Sequence, residues 1–128
     1  MMDELVLKVE QWAVDKGLDT ADSFKQFAKV AEEFGEIAAA LARNDKAELK
    51  DAIGDTVVTL IILAKQQGMD LEDCLQTAYD VIKGRTGKTV DGLFIKSSDL
   101  QYISAVTQTA GTISSTELNS ALLQDDVK

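Results

Sequence analysis

Two pairs of carboxylates stand out by residue type and spacing. Glu33 and Glu36 lie three apart in KVAEEFGEIAAALA, and Asp51 and Asp55 lie four apart in AELKDAIGDTVVTLIILA. Spacings of three and four place both members of a pair on one side of a helix. A short polar break at 43–46 would let two such helices face each other and bring the pairs together. Hard oxygen ligands on rigid elements suit Mg²⁺, which keeps several waters and commonly binds substrate phosphates as well. Lys83, Arg85 and Lys88 follow the fourth expected helix, and Lys29 shares the glutamate stripe; these are the cations available for phosphate oxygens. A single Glu pair on a helix is ordinarily a solvated face. The weight rests on two pairs, the second continuing an apolar stripe.

The rest of the composition narrows the chemistry. The chain has 128 residues, enough for one domain with a modest core, and it contains no histidine and one cysteine. Histidine-dependent nucleophile systems and histidine-ligated metals are therefore excluded. The lone Cys74 precludes an internal disulfide and fits a reducing compartment. A net charge of −9 argues against binding a nucleic-acid backbone. No basic and apolar leader opens the chain, and the longest apolar run, 57–64, is far short of the roughly 20 residues a membrane span needs. A cytoplasmic protein, without a membrane partner, is the expectation.

The elements that must position the carboxylates are helices. The chain has no proline, is only 5% aromatic, and is rich in Ala, Leu, Lys, Asp and Glu. A first helix is expected over 3–16, with Leu5, Val9 and Trp12 on its core face and Gly17 as its stop. A second, over 21–43, opens at Thr20, Asp22 or Ser23 and has Phe27, Val30, Phe34, Ile37 and Leu41 as its core seam. Glu33 then borders the buried face. A third, over 46–67, carries Asp51, Asp55, Val58 and Ile62 on one stripe and is apolar nearly all round from 57 to 64. Ionised carboxylates continuing a buried stripe need a cation or strong donors. A fourth, over 71–83, is capped by Asp70, with Leu71, Cys74, Leu75, Ala78, Tyr79 and Ile82 as its apolar stripe.

The segment KGRTGKTVDGLFIK is glycine-rich and basic, with a short extended piece at 93–95. Its GRTGKT has two residues between the glycines where a phosphate-binding P-loop has four, and it follows a helix instead of a strand. Residues 97–128 turn rich in Ser, Thr and Gln. Capping boxes at Ser98-x-x-Gln101 and Ser114-x-x-Glu117 predict short helices over 99–109 and 115–124.

Taken together, KVAEEFGEIAAAL, LKDAIGDTVVTLIILAKQQGMDLEDCL and AYDVIKGRTGKTVDGLFIK resemble the MazG-like all-α nucleoside triphosphate pyrophosphohydrolases, especially the small single-domain phage type. The resemblance covers about 4–96. It implies an all-α, four-helix MazG-like bundle over 1–96, in a bacterial or phage-infected cell, and a homodimer or homotetramer; the short C-terminal helical extension over 97–128 lies outside it and rests on the capping boxes. It also implies hydrolysis of a (deoxy)nucleoside triphosphate to the monophosphate and pyrophosphate with Mg²⁺, or Mn²⁺ in its place. The family pattern is ExxE on one helix and ExxD on the next. Glu33, Glu36 and Asp55 match it, whereas Ala52 occupies the first acidic position of ExxD. Asp51 is the substitute in this reading, with Glu48 as second choice. Glu33 or Glu36 would act as the water base, Lys83 and Arg85 would contact phosphate, and Asp80 would lie near the sugar or base. Two other readings stand beside this one. The first is a catalytically weak nucleotide- or metal-binding protein. The second is a structural helical oligomer whose carboxylates pair with Lys29 and Arg43.

Overall fold

The computed structural model describes residues 1–110. The order is α1 (Met2–Asp15), α2 (Ser23–Ala42), α3 (Lys46–Gln66), α4 (Leu71–Ile82), β1 (Gly87–Val90), β2 (Leu93–Lys96) and α5 (Ser97–Ala110). The all-α expectation holds, and the only sheet among the described residues is the β1–β2 hairpin. The helix expected over 115–124 lies outside the described residues. Two compact units are present, one over Met1–Tyr79 and one beginning at Asp80.

Capping chemistry sets the helix limits in the first unit. The Asp22 carboxylate accepts the Lys25 N–H to open α2, and Asp45 accepts that of Glu48 to open α3. Asp70 accepts from Asp73 in the same way. Gly17 and Gly68 follow α1 and α3 at φ +70° and +71°, the left-handed conformation that glycine adopts without a Cβ penalty. Between α2 and α3 the turn is only Arg43–Asp45. Asn44 carries its left-handed residue at φ 53°, and Arg43 pairs with Glu48 across the turn at 2.9 Å.

That tight antiparallel hairpin decides which faces meet. Gln26 and Ala40 are the buried residues of α2, with Val30, Glu33 and Ile37 partly covered between them. Phe27, Phe34 and Leu41, expected as the seam, are 61%, 66% and 62% exposed. The contact face thus keeps Val30 and Ile37 and is rotated by roughly 60° onto the smaller side chains. Ala40 and Ala52 permit close approach, and the apolar face of α2 is too broad for α3 alone to cover. Along α3, Ala52, Thr56 and Thr59 are buried, as are Ile61, Ile62 and Ala64. Burying the two isoleucines contributes about 1.5–3 kcal/mol each. The all-round apolar stretch is covered on two sides only, and Ile53, Val57 and Leu60 remain exposed.

α1 packs on α3 through Ala13, with Val6, Val9 and Glu10 partly covered; Leu5 and Trp12, expected in the core, are exposed. Glu10 reaches Lys65 at 3.8 Å, and the Gln66 side chain donates to the Leu18 carbonyl at 2.9 Å, tying the first loop to α3. α4 has none of its residues buried. Its stripe, Cys74 included, is uncovered where the periodicity predicts a packed face.

In the second unit β1 and β2 pair antiparallel, Lys88 opposite Ile95, around a turn with Asp91 at φ 50° and Gly92 at φ 79°. Gly87 is where β1 passes too close to the Ile95 carbonyl to admit a Cβ. Ser97 donates from its backbone N–H to the Thr86 carbonyl at 2.8 Å, fixing the start of α5 against the hairpin. GRTGKT therefore runs from a helix end into a strand, the reverse of a P-loop, as its spacing predicts.

Candidate active site

The α2–α3 hairpin brings Glu33, Glu36 and Asp55 into one electrostatic neighbourhood. The Glu33 side chain is only 15% exposed, because position 33 lies on the face turned to α3. Its carboxyl is held above the ordinary glutamate range, by burial first and then by the charges of Glu36 and Asp55. Lys29 opposes that shift from 3.9 Å. The same lysine donates a hydrogen bond to Glu32 at 3.0 Å, which, with the nearby carboxylates, raises its own pKa. Glu36 and Asp55 have no ion-pair partner among the described residues, and Arg43 is engaged by Glu48. The pairing that a purely structural role requires is thus supplied by Lys29 alone, and at long range.

Asp55 is half-buried and also lines an open surface depression of about 490 Å³ on the outer flank of α3. Asp51, Lys50, Gly54, Ala47 and Val58 complete that lining. Asp51 is exposed, so the stripe expected to be buried is buried only toward Ile62. Ala52, at the position where the resemblance places an acid, is 4% exposed, filling the helix interface. Among the described residues no three acidic side chains are already drawn together as a finished cage for an ion. The donor set still fits a hard divalent cation: oxygen ligands only, on two rigid helices, with mutual repulsion that such an ion relieves.

The remaining candidates sit in the second unit. Asp80 and Lys83 bond to each other at 2.8 Å, both half-exposed. Arg85 follows α4, and Lys88 lies on β1. Sequence reasoning missed two features. Lys50 lies beside Asp51 and Asp55, and only its place one turn before Gly54 could have marked it. Gln26, on the stripe of α2 that carries Lys29, Glu33, Glu36 and Ala40, forms with Thr56 and Thr59 a buried polar set whose burial the sequence reading did not assign; polar residues on an otherwise apolar face were the available signal.

A family model for phosphoribosyl-ATP pyrophosphohydrolase matches residues 2–80, more than half of the chain and all of the carboxylate site. The chain belongs to that family. Its fold is that of the MazG-like all-α nucleoside triphosphate pyrophosphohydrolase superfamily. An uncharacterised 18.2 kDa protein from the rep–hol intergenic region of Haemophilus phage HP1 is 43% identical over 70 residues. That match spans 54% of this chain and 43% of the phage protein. No solved structure matches the chain. No helix among the described residues is long and apolar enough to cross a membrane.

The raised Glu33 pKa has a consequence for stability. The folded chain holds that proton more tightly than the unfolded chain. Stability is therefore lost as pH rises from the ordinary glutamate value through the higher native one. The penalty is absent below both values and complete above both. Glu33→Gln should raise the metal-free melting temperature at about pH 7, and the advantage should shrink as pH falls and vanish well below the ordinary glutamate value of about 4.3, where the carboxyl is protonated in both folded and unfolded chains. Thermal melts in EDTA across that range test it; a variant less stable at neutral pH would contradict it.

Proposed function

We propose that this phosphoribosyl-ATP pyrophosphohydrolase family member hydrolyses nucleoside triphosphates, ribo- or deoxyribo-, to the monophosphate and pyrophosphate. The observation that carries the reading is the cluster of Glu33, Glu36 and Asp55, whose negative charge only Lys29 opposes. Glu33, Glu36 and Asp55 would hold Mg²⁺, or Mn²⁺, with Asp51 as a fourth ligand. The ion would supply charge neutralisation on the phosphates and a bound water of lowered pKa. Water oxygen bonds to the α-phosphorus, the α–β anhydride bond breaks, and pyrophosphate leaves. Glu33 or Glu36 would accept the water proton. Lys83 and Arg85 would offset charge on the leaving pyrophosphate, with Lys88 and Lys29 as further phosphate contacts and Asp80 near the sugar or base.

Phosphoribosyl-ATP itself is a second reading, favoured by the family model over residues 2–80. It uses the same anhydride chemistry on a larger adenine nucleotide. We further propose that the protein works as a homodimer or homotetramer in the cytoplasm of a bacterial or phage-infected cell, without nucleic-acid or membrane partners. The phage relative and the uncovered apolar faces of α2 and α4 support this.

The test is direct. Purified protein is incubated with each common NTP and dNTP and with phosphoribosyl-ATP, with and without Mg²⁺, and monophosphate and pyrophosphate are measured. Mg²⁺-dependent release of both products from triphosphates supports the first reading. Release from phosphoribosyl-ATP alone selects the second. Nucleotide binding without any turnover would leave a binding protein and overturn both.

A further inference from the structure

We propose that Gln26 is a positioning residue for the carboxylate site. Its amide, bonded to the Thr59 carbonyl, sets the register in which α2 presents Glu33 and Glu36 to Asp55. The inference rests on the metal reading above. Gln26 is 7% exposed, and its Nε2 donates to the Thr59 carbonyl oxygen at 3.1 Å. It lies two turns before Glu33 on the same face of α2, and Thr59 lies one turn beyond Asp55 on α3. The hydrogen bond and the Glu33–Asp55 approach are therefore neighbouring rungs of one antiparallel seam.

What surrounds that bond has little power to choose a register. From that bond to the turn, the covered residues of the two helices are Ala40, Ala52 and Thr56, with Val30, Ile37 and Val58 partly buried; the larger buried side chains, Ile61 and Ile62, lie on its other side. A stretch of small and aliphatic side chains specifies position weakly when one helix slides past the other by a turn, about 5.4 Å. Such a slide would leave Glu33 opposite another residue. It would also leave the Gln26 amide buried without its acceptor, the kind of penalty by which a single buried polar side chain specifies helix register. The other side-chain bonds between α2 and α3 are at the hairpin's ends. Ser23 bonds to Gln66 at 3.1 Å and to Gln67 at 2.6 Å, and the Arg43–Glu48 pair is exposed.

α3 is adapted to receive the amide. The Thr56 hydroxyl donates back to the Ala52 carbonyl at 2.8 Å, and the Thr59 hydroxyl to the Thr56 carbonyl at 2.7 Å. Both hydroxyls are thus occupied within their own helix, and back-bonding of this kind tilts helical carbonyls and bends the helix. The buried polar atoms that α3 offers at this level are carbonyls, and Gln26 brings the matching donor.

The test uses the full chain with Gln26→Met and Gln26→Leu, which keep volume and remove the donor. Melting is followed in EDTA and in increasing MgCl₂ alone, so the readout does not depend on turnover. The expected result is a melting temperature in EDTA that is unchanged or higher, with Mg²⁺ affinity weakened about ten-fold or more. Ser23→Ala, which removes a bond at the far end of the hairpin, should leave Mg²⁺ affinity intact. Mg²⁺ affinity within two-fold of wild type in both Gln26 variants would overturn the proposal. So would an equal loss in Ser23→Ala, which would indicate general loosening. A wild-type protein with no Mg²⁺ response that Asp55→Asn removes would overturn the metal reading, and this proposal with it.

Discussion

Glu36→Gln and Asp55→Asn should each lower turnover by a hundred-fold or more while leaving the fold intact. Both side chains lack an ion-pair partner among the described residues, so neutralising either one breaks no pair. Each substitution instead removes one unit of the charge that would hold a divalent ion. Charge stabilisation by a bound metal is worth several kcal/mol in a transition state, and about 1.4 kcal/mol is a factor of ten in rate. Melting in EDTA should be unchanged or slightly higher, because the repulsion on Glu33 falls. The Mg²⁺-dependent rise in melting temperature should shrink or disappear. Loss of turnover with an undiminished Mg²⁺ response would move the ion elsewhere. Asp51→Asn separates the remaining possibility: as an exposed residue on the outer depression, it should cost less than either.

Replacing Phe27 and Phe34 together by glutamine should convert an assembly of chains into single ones. Phe24, Phe27, Phe34 and Leu41 line one side of α2 and are all more than half exposed. Leu75, Tyr79 and Ile82 do the same on α4. Three phenylalanines alone offer several hundred Å² of apolar surface, roughly the limit for a contiguous patch on a monomer. A second copy is the natural cover, since each chain carries two such faces. Buried aromatic anchors cost about 2–4 kcal/mol each when truncated, so two together should weaken association by at least a thousand-fold. Light scattering after size exclusion should then report a mass near the 13.9 kDa of one chain, against a multiple of it for wild type. A wild-type protein that already runs as single chains at tens of micromolar would rule this out.

The helices and their caps were legible in the sequence because their signals are local. Asp22, Asp70, Gly17 and Gly68 act within a turn of where they stand. The pairing of Glu33 and Glu36 with Asp55 was legible too, since helical spacing and one short turn suffice to predict it. The choice of face was not. Large apolar residues mark where a helix is sticky, and on α2 that zone is wider than one neighbour can cover. Phe27 and Phe34 were assigned to the core for this reason, yet the hairpin closes on Gln26, Glu33 and Ala40. The misassignment of Cys74 and Leu75 on α4 has the same origin: amphipathicity announces a partner without saying which. Asp51 was placed with Asp55 by spacing alone, and the stripe they share passes from cover to solvent between them.

The three-residue turn at Arg43–Asp45 also bears on how the site comes into being. Both halves of the carboxylate cluster belong to one helical hairpin, so no distant part of the chain must arrive before they meet. Closing so short a loop costs little entropy, and contacts of low sequence separation form early and fast in folding. The cluster should therefore assemble in the first cooperative step, carrying its charge repulsion into the transition state. Divalent ions present during refolding would then speed folding itself, and their effect would be read in the folding rate as well as in the rate of unfolding.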